Sequence, residues 1–404
     1  MISLGCRLNI AESETIRALI AGRDTVVVNS CAVTNAAVKA TRSAIRRARR
    51  DRPGAELVVT GCAAQIDPQG FAAMPEVDRV IGNGDKLSPA AWASAEPVVV
   101  GDIMQLRDTA PHLAASFGSH ARAFVEVQNG CDHRCTFCAI PFGRGPSRSV
   151  PAGAVVDRIA GLVDAGHHEV VLTGVDLTSY GHDLPGAPTL GLLVERILRH
   201  VPALRRLRLS SLDSIEIDDR LFAIVTGDAR VMPHLHLSFQ AGSDLILKRM
   251  KRRHSRAQAV DVVRRLQAAR PDIAIGADLI AGFPTEDEAM FANTLALIDD
   301  CAIALAHIFP YSSRAGTPAA RMPQVAREIV KNRAARLRAS AAAARTAWLK
   351  EQVGQVTDVL VELDGTSGHA ANFARVIFPA AQPNSIQRMA ITAVEGDSLI
   401  GVAA

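Results

Sequence analysis

The sequence predicts a mixed α/β protein in three parts. An open parallel α/β sheet domain spans residues 1–118. A partial (β/α)6 barrel with a C-terminal linker helix spans 119–350. A small all-β barrel spans 351–404. Three observations carry this reading. Short apolar runs alternate with helical stretches over the first 320 residues, first at one scale and then at a larger one. An Ala- and Arg-rich stretch without Gly follows at 321–350. The remainder is short-stranded and turn-rich. Alternating β and α segments mean a parallel sheet with crossover helices, and 404 residues exceed one ordinary core.

In the first part, "MISLG", "TVVVNS", "ELVVTG" and "DRVIG" read as strands. "ESETIRALIAG" and "NAAVKATRSAIRRARRD" read as helices between them. Only five residues precede Cys6, so the first strand is expected to be very short. "RDTAPHLAASFGSH", residues 107–120, lacks a period and reads as a linker. In the second part the strands are "AFVEVQ", "EVVLTG", "RLRLSS", "HLHLSFQ", "IAIGADLIAGF" and "ALAHIFPYS". Six strands make most of a β/α barrel, short of the eight of a complete one. Residues 321–350 form one long helix by propensity. The tail, with "VTDVLVEL", "FARVIF" and "AITAVEGDSLIGV", reads as a small β-module.

Composition narrows the class. Apolar residues make up 48% and charged residues 21%, a globular balance. No apolar run reaches the length of a membrane span, and the N-terminus lacks a signal-peptide pattern. Seven cysteines, an odd number, argue against a secreted disulfide framework. A cytoplasmic protein with reduced thiols is expected, without membrane contact and monomeric.

Two sets of cysteines stand out. Cys131, Cys135 and Cys138 fall within "NGCDHRCTFCAIPFGRGPSRS", directly after the first barrel strand. Loops after strands build the active face of such barrels. Cysteine thiolates are the usual ligands of iron–sulfur clusters; three of them leave one iron of a cubane open, and an open metal position marks a reactive site. The bland alternative is a structural zinc whose fourth ligand would be a distant residue or His133, the latter awkward within so tight a loop. Cys6, Cys31 and Cys62 are separated by 25 and 31 residues, yet each stands just after a candidate strand. Neighbouring strand ends gather at one edge of a parallel sheet, so the three can converge. The alternative is three unrelated buried thiols.

CxxxCxxC after the first strand of a partial barrel resembles the signature of radical S-adenosylmethionine (radical SAM) enzymes. "GCRLNIAES", "VVNSCAVT" and "VTGCAAQ" resemble the N-terminal domain of the methylthiotransferases. "TGVDLTSYG", "HLHLSFQAGSDLILKRMKRRH", "DLIAGFPTE" and "HIFPYSSRAGTPAARMP" continue the match, and the tail resembles a TRAM domain. The resemblance covers essentially the whole chain. "RGPSRS" and "LILKRMKRRH" look most like the branch acting on N6-threonylcarbamoyladenosine in tRNA. It implies two [4Fe-4S] clusters, one on Cys131, Cys135 and Cys138 and one on Cys6, Cys31 and Cys62. On the first, the open iron chelates SAM, whose cleavage gives a 5′-deoxyadenosyl radical. The second supplies or carries sulfur, and a second SAM provides the methyl group. The backbone of Phe137 is expected against the SAM adenine, and Gly174, Asp176 and Gln240 along SAM. For Asp176, a helix cap or loop hydrogen bond is the alternative. A tRNA substrate and a flavodoxin- or ferredoxin-like electron donor are the implied partners. Isopentenyladenosine in tRNA and a ribosomal-protein aspartate are the alternative substrates of the family. A metal-binding RNA-binding module without chemistry is the alternative of another class.

The net charge of +4 says little about partners, but its distribution says more. Residues 39–52 carry seven basic residues against Asp51. On a helix, Lys39, Arg42, Arg46, Arg49 and Arg50 share a face suited to phosphates. "LKRMKRRH", residues 247–254, is a second basic patch. The tail from 351 has six acids and two basic residues, so it is expected to contribute shape or orientation and not phosphate affinity. Cys301 reads as packing, and His234 and His236 as barrel filling or substrate contact.

Overall fold

The computed structural model describes residues 1–107, 118 and 120–404. The expected linker at 107–120 therefore lies mostly outside the described residues.

The first layer is a five-stranded parallel sheet in sequential order: β1 (Ile2–Ser3), β2 (Thr25–Ser30), β3 (Glu56–Gly61), β4 (Arg79–Ile81) and β5 (Val98–Val99). Strands β2 and β3 are buried along nearly their whole length, which is why they read as continuous apolar runs. Between them run α1 (Arg7–Leu19) and α2 (Asn35–Asp51). Strand β5 escapes the sequence reading because two valines carry no period. A short helix, α3 (Cys62–Ile66), leaves β3 directly.

The second layer is the partial barrel: β6 (Arg122–Glu126), β7 (Glu169–Thr173), β8 (Arg206–Leu209), β9 (His234–Gln240), β10 (Ala274–Ala281) and β11 (Ile303–Pro310). All of its ladders are parallel and in chain order; the two halves are joined where the chain just after β8, Ser211–Leu212, pairs with β9, and by a bridge from Leu207 to Val231. A helix, α4 (Ile140–Arg144), follows the cysteine loop after β6. The expected long helix is α5 (Arg327–Glu351); it begins six residues late, beyond Pro323, which cannot sit inside a helix. Ala334 and Leu337 of α5 belong to the barrel core and Leu349 to the tail core, so one helix is shared by both.

The tail closes as a five-stranded barrel of β12 (Val356–Val361), β13 (Ser367–Ala370), β14 (Arg375–Ile377), β15 (Ile386–Glu395) and β16 (Ser398–Ala403). It docks on residues near the starts of the large barrel's strands. Arg206 Nη2 donates to Asp358 O at 2.7 Å, and the two Nη atoms of Arg208 donate to Ala370 O and Ala371 O, each at 2.9 Å. Buried Glu169 accepts from Arg208 Nε at 2.7 Å and holds that fork in place. Arg122 pairs with Glu362 at 2.9 Å, and Arg345 with Asp397 at 3.5 Å. Two of the tail's acids thus face the body. Phe373, on the loop between β13 and β14, adopts φ +74°. Its ring stacks between His234 and His369 at 4.9 and 4.8 Å and lies 5.0–5.4 Å from the guanidinium carbons of Arg208, Arg7 and Arg122. No helix among the described residues is long and apolar enough to cross a membrane.

Replacing Arg208 with Ala leaves the Glu169 carboxylate buried with less compensation and frees two tail carbonyls. The expected loss is ~3–5 kcal/mol of stability, read by chemical denaturation, with earlier proteolytic release of the tail.

Candidate cluster and substrate site

The loop bearing Cys131, Cys135 and Cys138 is held from several sides. Gln128 Nε2 donates to Gly130 O at 2.8 Å and Ser147 Oγ at 2.9 Å. Its Oε1 accepts from the backbone of Val175 and Asp176, both at 2.9 Å, which ties the loop after β6 to the loop after β7. Gly130 has φ +71°, and a Cβ there would lie 1.8 Å from Pro146 O, so only glycine fits. Thr136 donates to Met250 O and Arg249 O at 3.1 and 2.8 Å. Phe137 packs its ring edge-on against Phe283, 6.3 Å between centroids. Arg252 Nη1 approaches Cys135 Sγ at 3.9 Å.

The sheet gathers the other three cysteines. Cys31 follows β2, Cys62 opens α3, and Cys6 precedes α1 as its N-cap residue. The positive end of a helix is complementary to a thiolate-ligated group. Asn9 Nδ2 donates to Leu4 O at 2.6 Å and Ser30 O at 3.0 Å; Ser30 Oγ accepts from Ala63 N and Ala64 N at 3.1 and 3.2 Å. The three cysteine loops are thereby stitched to one another. A Cβ on Gly5, at φ +101°, would meet Cys31 Cβ at 2.7 Å. A Cβ on Gly143 of α4 would lie 3.1 Å from Cys62 Cβ. Cys62 therefore lies against the helix that follows Cys138. Asn83 Nδ2 spans the same seam, 2.6 Å from Gly143 O and 3.8 Å from Cys62 Sγ.

Below this seam lies a buried charge cluster. Glu12 of α1 pairs with Lys86 at 2.6 Å and with Arg144 at 2.9 Å; the three side chains are 0–2% exposed. Arg144 also donates to Asn9 Oδ1 at 2.7 Å and Asn129 Oδ1 at 3.0 Å. Burial alone would raise the Glu12 carboxyl, but Arg144 and Lys86 hold it well below the usual carboxylate range. The cysteine thiols keep the upward shift that burial imposes. Burial pushes Cys31, Cys62 and Cys131 up, and Cys138 up to about 11. Such thiols yield their protons to a metal in preference to water.

The donor sets fit iron–sulfur clusters better than zinc. Sulfurs sharing one tetrahedral zinc stand ~3.8 Å apart, whereas those of a cubane bind different irons and stand farther apart. Among the described residues, the groups of potential ligand atoms within 4.8 Å of one another contain no cysteine. His133 Nε2 is engaged elsewhere: it pairs with Asp176 at 2.7 Å and meets Arg253 Nη2 at 2.9 Å.

A cavity of about 480 Å³ opens between the two domains. Its walls include Cys6, Arg7 and Cys31 on one side and Gly174, His236, Asp278 and His307 on the other. His236 Nε2 and His307 Nδ1 both contact Asp278 Oδ1, at 3.0 and 3.2 Å. Burial raises the Asp278 carboxyl, but the two imidazoles outweigh it and hold the group far below the carboxylate range.

The other expected site residues divide. Gly174 lies on the cavity wall. Gln240 ends β9 at φ +67°, its side chain without a hydrogen bond among the described residues. Asp176 has its oxygens committed to His133, Thr178 and Ser179, which favours the loop-bond alternative. On α2, Lys39 and Arg50 are exposed, and Arg46 makes only a 3.8 Å contact with Glu76. Arg49 corrects the shared-face expectation: it donates to Glu76 O, Pro53 O and Ala55 O and pairs with Asp78, so it straps α2 to the sheet. Arg42 is partly withdrawn too, pairing with Asp67 at 3.2 Å over the Phe71 ring. In the second patch, Arg252 turns inward to Asp213, and Arg253, still exposed, pairs with Asp213 and Glu216. His236 lines the cavity, His234 stacks on Phe373, and Cys301 is packed in the barrel core. Asn9, Glu12 and Arg144 were not singled out from the sequence. Their signal was present in "RLNIAES", where Asn9, Glu12 and Ser13 fall on one helix face and all three are buried.

Comparisons with known proteins agree with this geometry. The Radical SAM superfamily matches residues 125–298, and Uncharacterized protein family UPF0004 matches residues 1–82. The Threonylcarbamoyladenosine tRNA methylthiotransferase MtaB of Rickettsia prowazekii is 49% identical over 93% of this chain and 90% of its own length. The chain belongs to the radical SAM methylthiotransferase family. A Bacillus subtilis methylthiotransferase of the same name is 37% identical over 82% of the chain and 77% of its own length. The tRNA-2-methylthio-N(6)-dimethylallyladenosine synthase of Erythrobacter litoralis is 33% identical over 90% of the chain and 86% of its own length. Among solved structures, the radical S-adenosylmethionine methyltransferase TsrM from Kitasatospora setae shares the fold, with TM-score 0.54 and 17% identity, over 76% of this chain and 68% of its own. Cys62 of one cysteine set lies against the helix that follows the other set.

Glu12→Gln leaves Lys86 and Arg144 buried against a neutral partner, at an expected cost of ~3–5 kcal/mol. Because the folded-state carboxyl is depressed, the advantage of wild type over the variant is full above the ordinary glutamate value of 4.5 and shrinks as pH falls below it. Denaturation of both proteins across that range reads the convergence.

Proposed function

We propose that this chain inserts sulfur and a methyl group at C2 of N6-threonylcarbamoyladenosine next to the tRNA anticodon, giving the 2-methylthio derivative. The observation that carries the reading is the approach of the two cysteine sets through Asn83, Gly143 and Cys62, with Cys6 and Cys31 of one set on the wall of a cavity between the domains. The 49% identical relative named for this reaction supports the substrate.

In this reading Cys131, Cys135 and Cys138 hold one [4Fe-4S] cluster and Cys6, Cys31 and Cys62 the other. SAM lies along the Phe137 backbone, Gly174 and Gln240, with Asp176 shaping the loop beside it. When bound, these groups supply the electron, the radical, the sulfur and the methyl group, chemistry that no side chain of the chain can provide. The protein's own share is position and shelter. Gln128 fixes the first cysteine loop against the loop after β7. Asn9 and Ser30 fix the second set. The cavity takes the adenine between them, away from water. Domain limits of 1–118, 119–350 and 351–404 fit this division: sulfur-carrying domain, radical SAM barrel with linker helix, and TRAM-like tail. Exposed Lys39, Arg46 and Arg50, with Arg42 in part, meet tRNA phosphates, while the tail orients the RNA. A flavodoxin- or ferredoxin-like donor supplies electrons, and the chain works as a cytoplasmic monomer.

The test is nucleoside mass spectrometry of tRNA from cells lacking the enzyme and complemented with wild type or with Cys131→Ala. Wild type restores 2-methylthio-N6-threonylcarbamoyladenosine and the variant does not. Restoration of the dimethylallyl product instead contradicts the substrate assignment.

Lys39→Glu/Arg50→Glu is expected to weaken tRNA binding and lower the slope of log affinity against log salt by about 2. Arg49→Ala is expected to lower thermal stability instead. Anisotropy with a fluorescent tRNA and thermal melts separate the two.

A further inference from the structure

The cavity between the domains carries an unanswered charge. Arg7 follows Cys6, opens α1 and lies on the cavity wall. It is half-buried, and its guanidinium has no hydrogen bond or ion pair among the described residues. Its only close partner is the Phe373 ring, 5.4 Å away. That ring is shared with Arg122 and Arg208, at 5.4 and 5.0 Å. Those two have carboxylate partners in Glu362 and Glu169, whereas Arg7 has none. A sheltered guanidinium with five donors and no acceptor wants an anion. On the opposite wall the Asp278 carboxylate already has two imidazole partners, His236 and His307. The cavity thus offers an anion an unpaired guanidinium at the Arg7 end, while the carboxylate at the other end is already engaged.

We propose that Arg7 is a specificity-determining residue, its guanidinium receiving the carboxylate of the amino-acid group carried on the target adenosine. This rests on the reading given under Proposed function and deepens it. Threonylcarbamoyladenosine carries a carboxylate at the far end of its urea-linked side chain. A dimethylallyl group there is neutral and apolar, and would leave Arg7 sheltered and unpaired. Discrimination by an unsatisfied polar group is larger than discrimination by apolar shape. A charge-assisted, bidentate pair is also the geometry for which arginine is suited. The neighbouring Cys6 offers a rival role for Arg7, as counter-charge to the group held by that cysteine, and the experiment separates the two.

Binding is measured by anisotropy on the reconstituted holoenzyme with anticodon stem-loops carrying threonylcarbamoyladenosine, its methyl ester, or dimethylallyladenosine. Iron per chain is measured on every protein. Wild type is expected to bind the free acid about 10- to 100-fold more tightly than the ester. Arg7→Gln is expected to lose that preference while keeping its iron, and Arg7→Lys to keep part of it. The ester comparison uses the unaltered protein and does not depend on a variant folding. A wild type that binds acid and ester alike, but prefers both to the dimethylallyl loop, overturns the role of Arg7 and leaves the proposed function standing. Loss of iron in Arg7→Gln with equal weakening on acid and ester assigns Arg7 to the cysteine site and also overturns the proposal. A wild type that prefers the dimethylallyl loop overturns both readings.

Discussion

The carboxylate of Glu12 is the point on which this architecture turns. It sits with Lys86 and Arg144 among the least exposed side chains of the protein. A buried ionic cluster is weak evidence of net stabilisation, because desolvation offsets most of the attraction. Its value here is geometric. Glu12 and Lys86 come from the N-terminal sheet domain, and Arg144 closes the helix that follows the three-cysteine loop of the barrel. Any displacement of one domain against the other would leave a buried charge unpaired, so the arrangement has one low-energy register. Asn9 extends the same constraint, linking Arg144 to the backbone beside Cys6 and Cys31. Ala11 and Ile10 of α1 also reach the barrel's apolar core, and the charge cluster adds a fixed register to that contact.

The barrel's opposite end obeys the same logic. Strand-start residues Arg122, Glu169, Arg206 and Arg208 would be a costly polar cluster if left open. The tail answers them with carbonyls, Glu362 and the Phe373 ring. An acidic tail on a basic enzyme thus has a structural explanation: part of its charge complements the body. The cavity lies between these two anchored ends, and its unpaired charge follows from which arginines have found carboxylates and which one has not.

Much of this was legible in the sequence. The strand runs of the sheet and barrel were visible because parallel strands buried on both faces keep a continuous apolar signal. The cysteines were visible because each follows such a run. Glu12, Arg144 and Asn83 were harder to see. Polar residues read as surface by default, and only the buried face of α1 turns Asn9, Glu12 and Ser13 into a buried seam. The basic helix misled in the converse way. Helical spacing put Arg49 on a face with Lys39 and Arg50, but carbonyls of the turn after α2 and of the segment before β4 capture it. Periodicity gives direction along a helix, and it does not give what the neighbouring loop presents. The inward turn of Arg252 to Asp213 is the same lesson in the second basic patch.

The central claim is that two independent iron–sulfur clusters stand on the two cysteine sets. Iron and acid-labile sulfide per chain, after anaerobic reconstitution, test it most directly in wild type and in two triple variants. One variant has Cys131, Cys135 and Cys138 replaced by Ala, the other Cys6, Cys31 and Cys62. Two cubanes require about eight irons in wild type and about four in each variant. About four in wild type and none in the Cys131 set variant would mean that Cys6, Cys31 and Cys62 hold no cluster, and the sulfur-insertion account would fail. Zinc without iron would make the protein a binding module and remove its chemistry altogether.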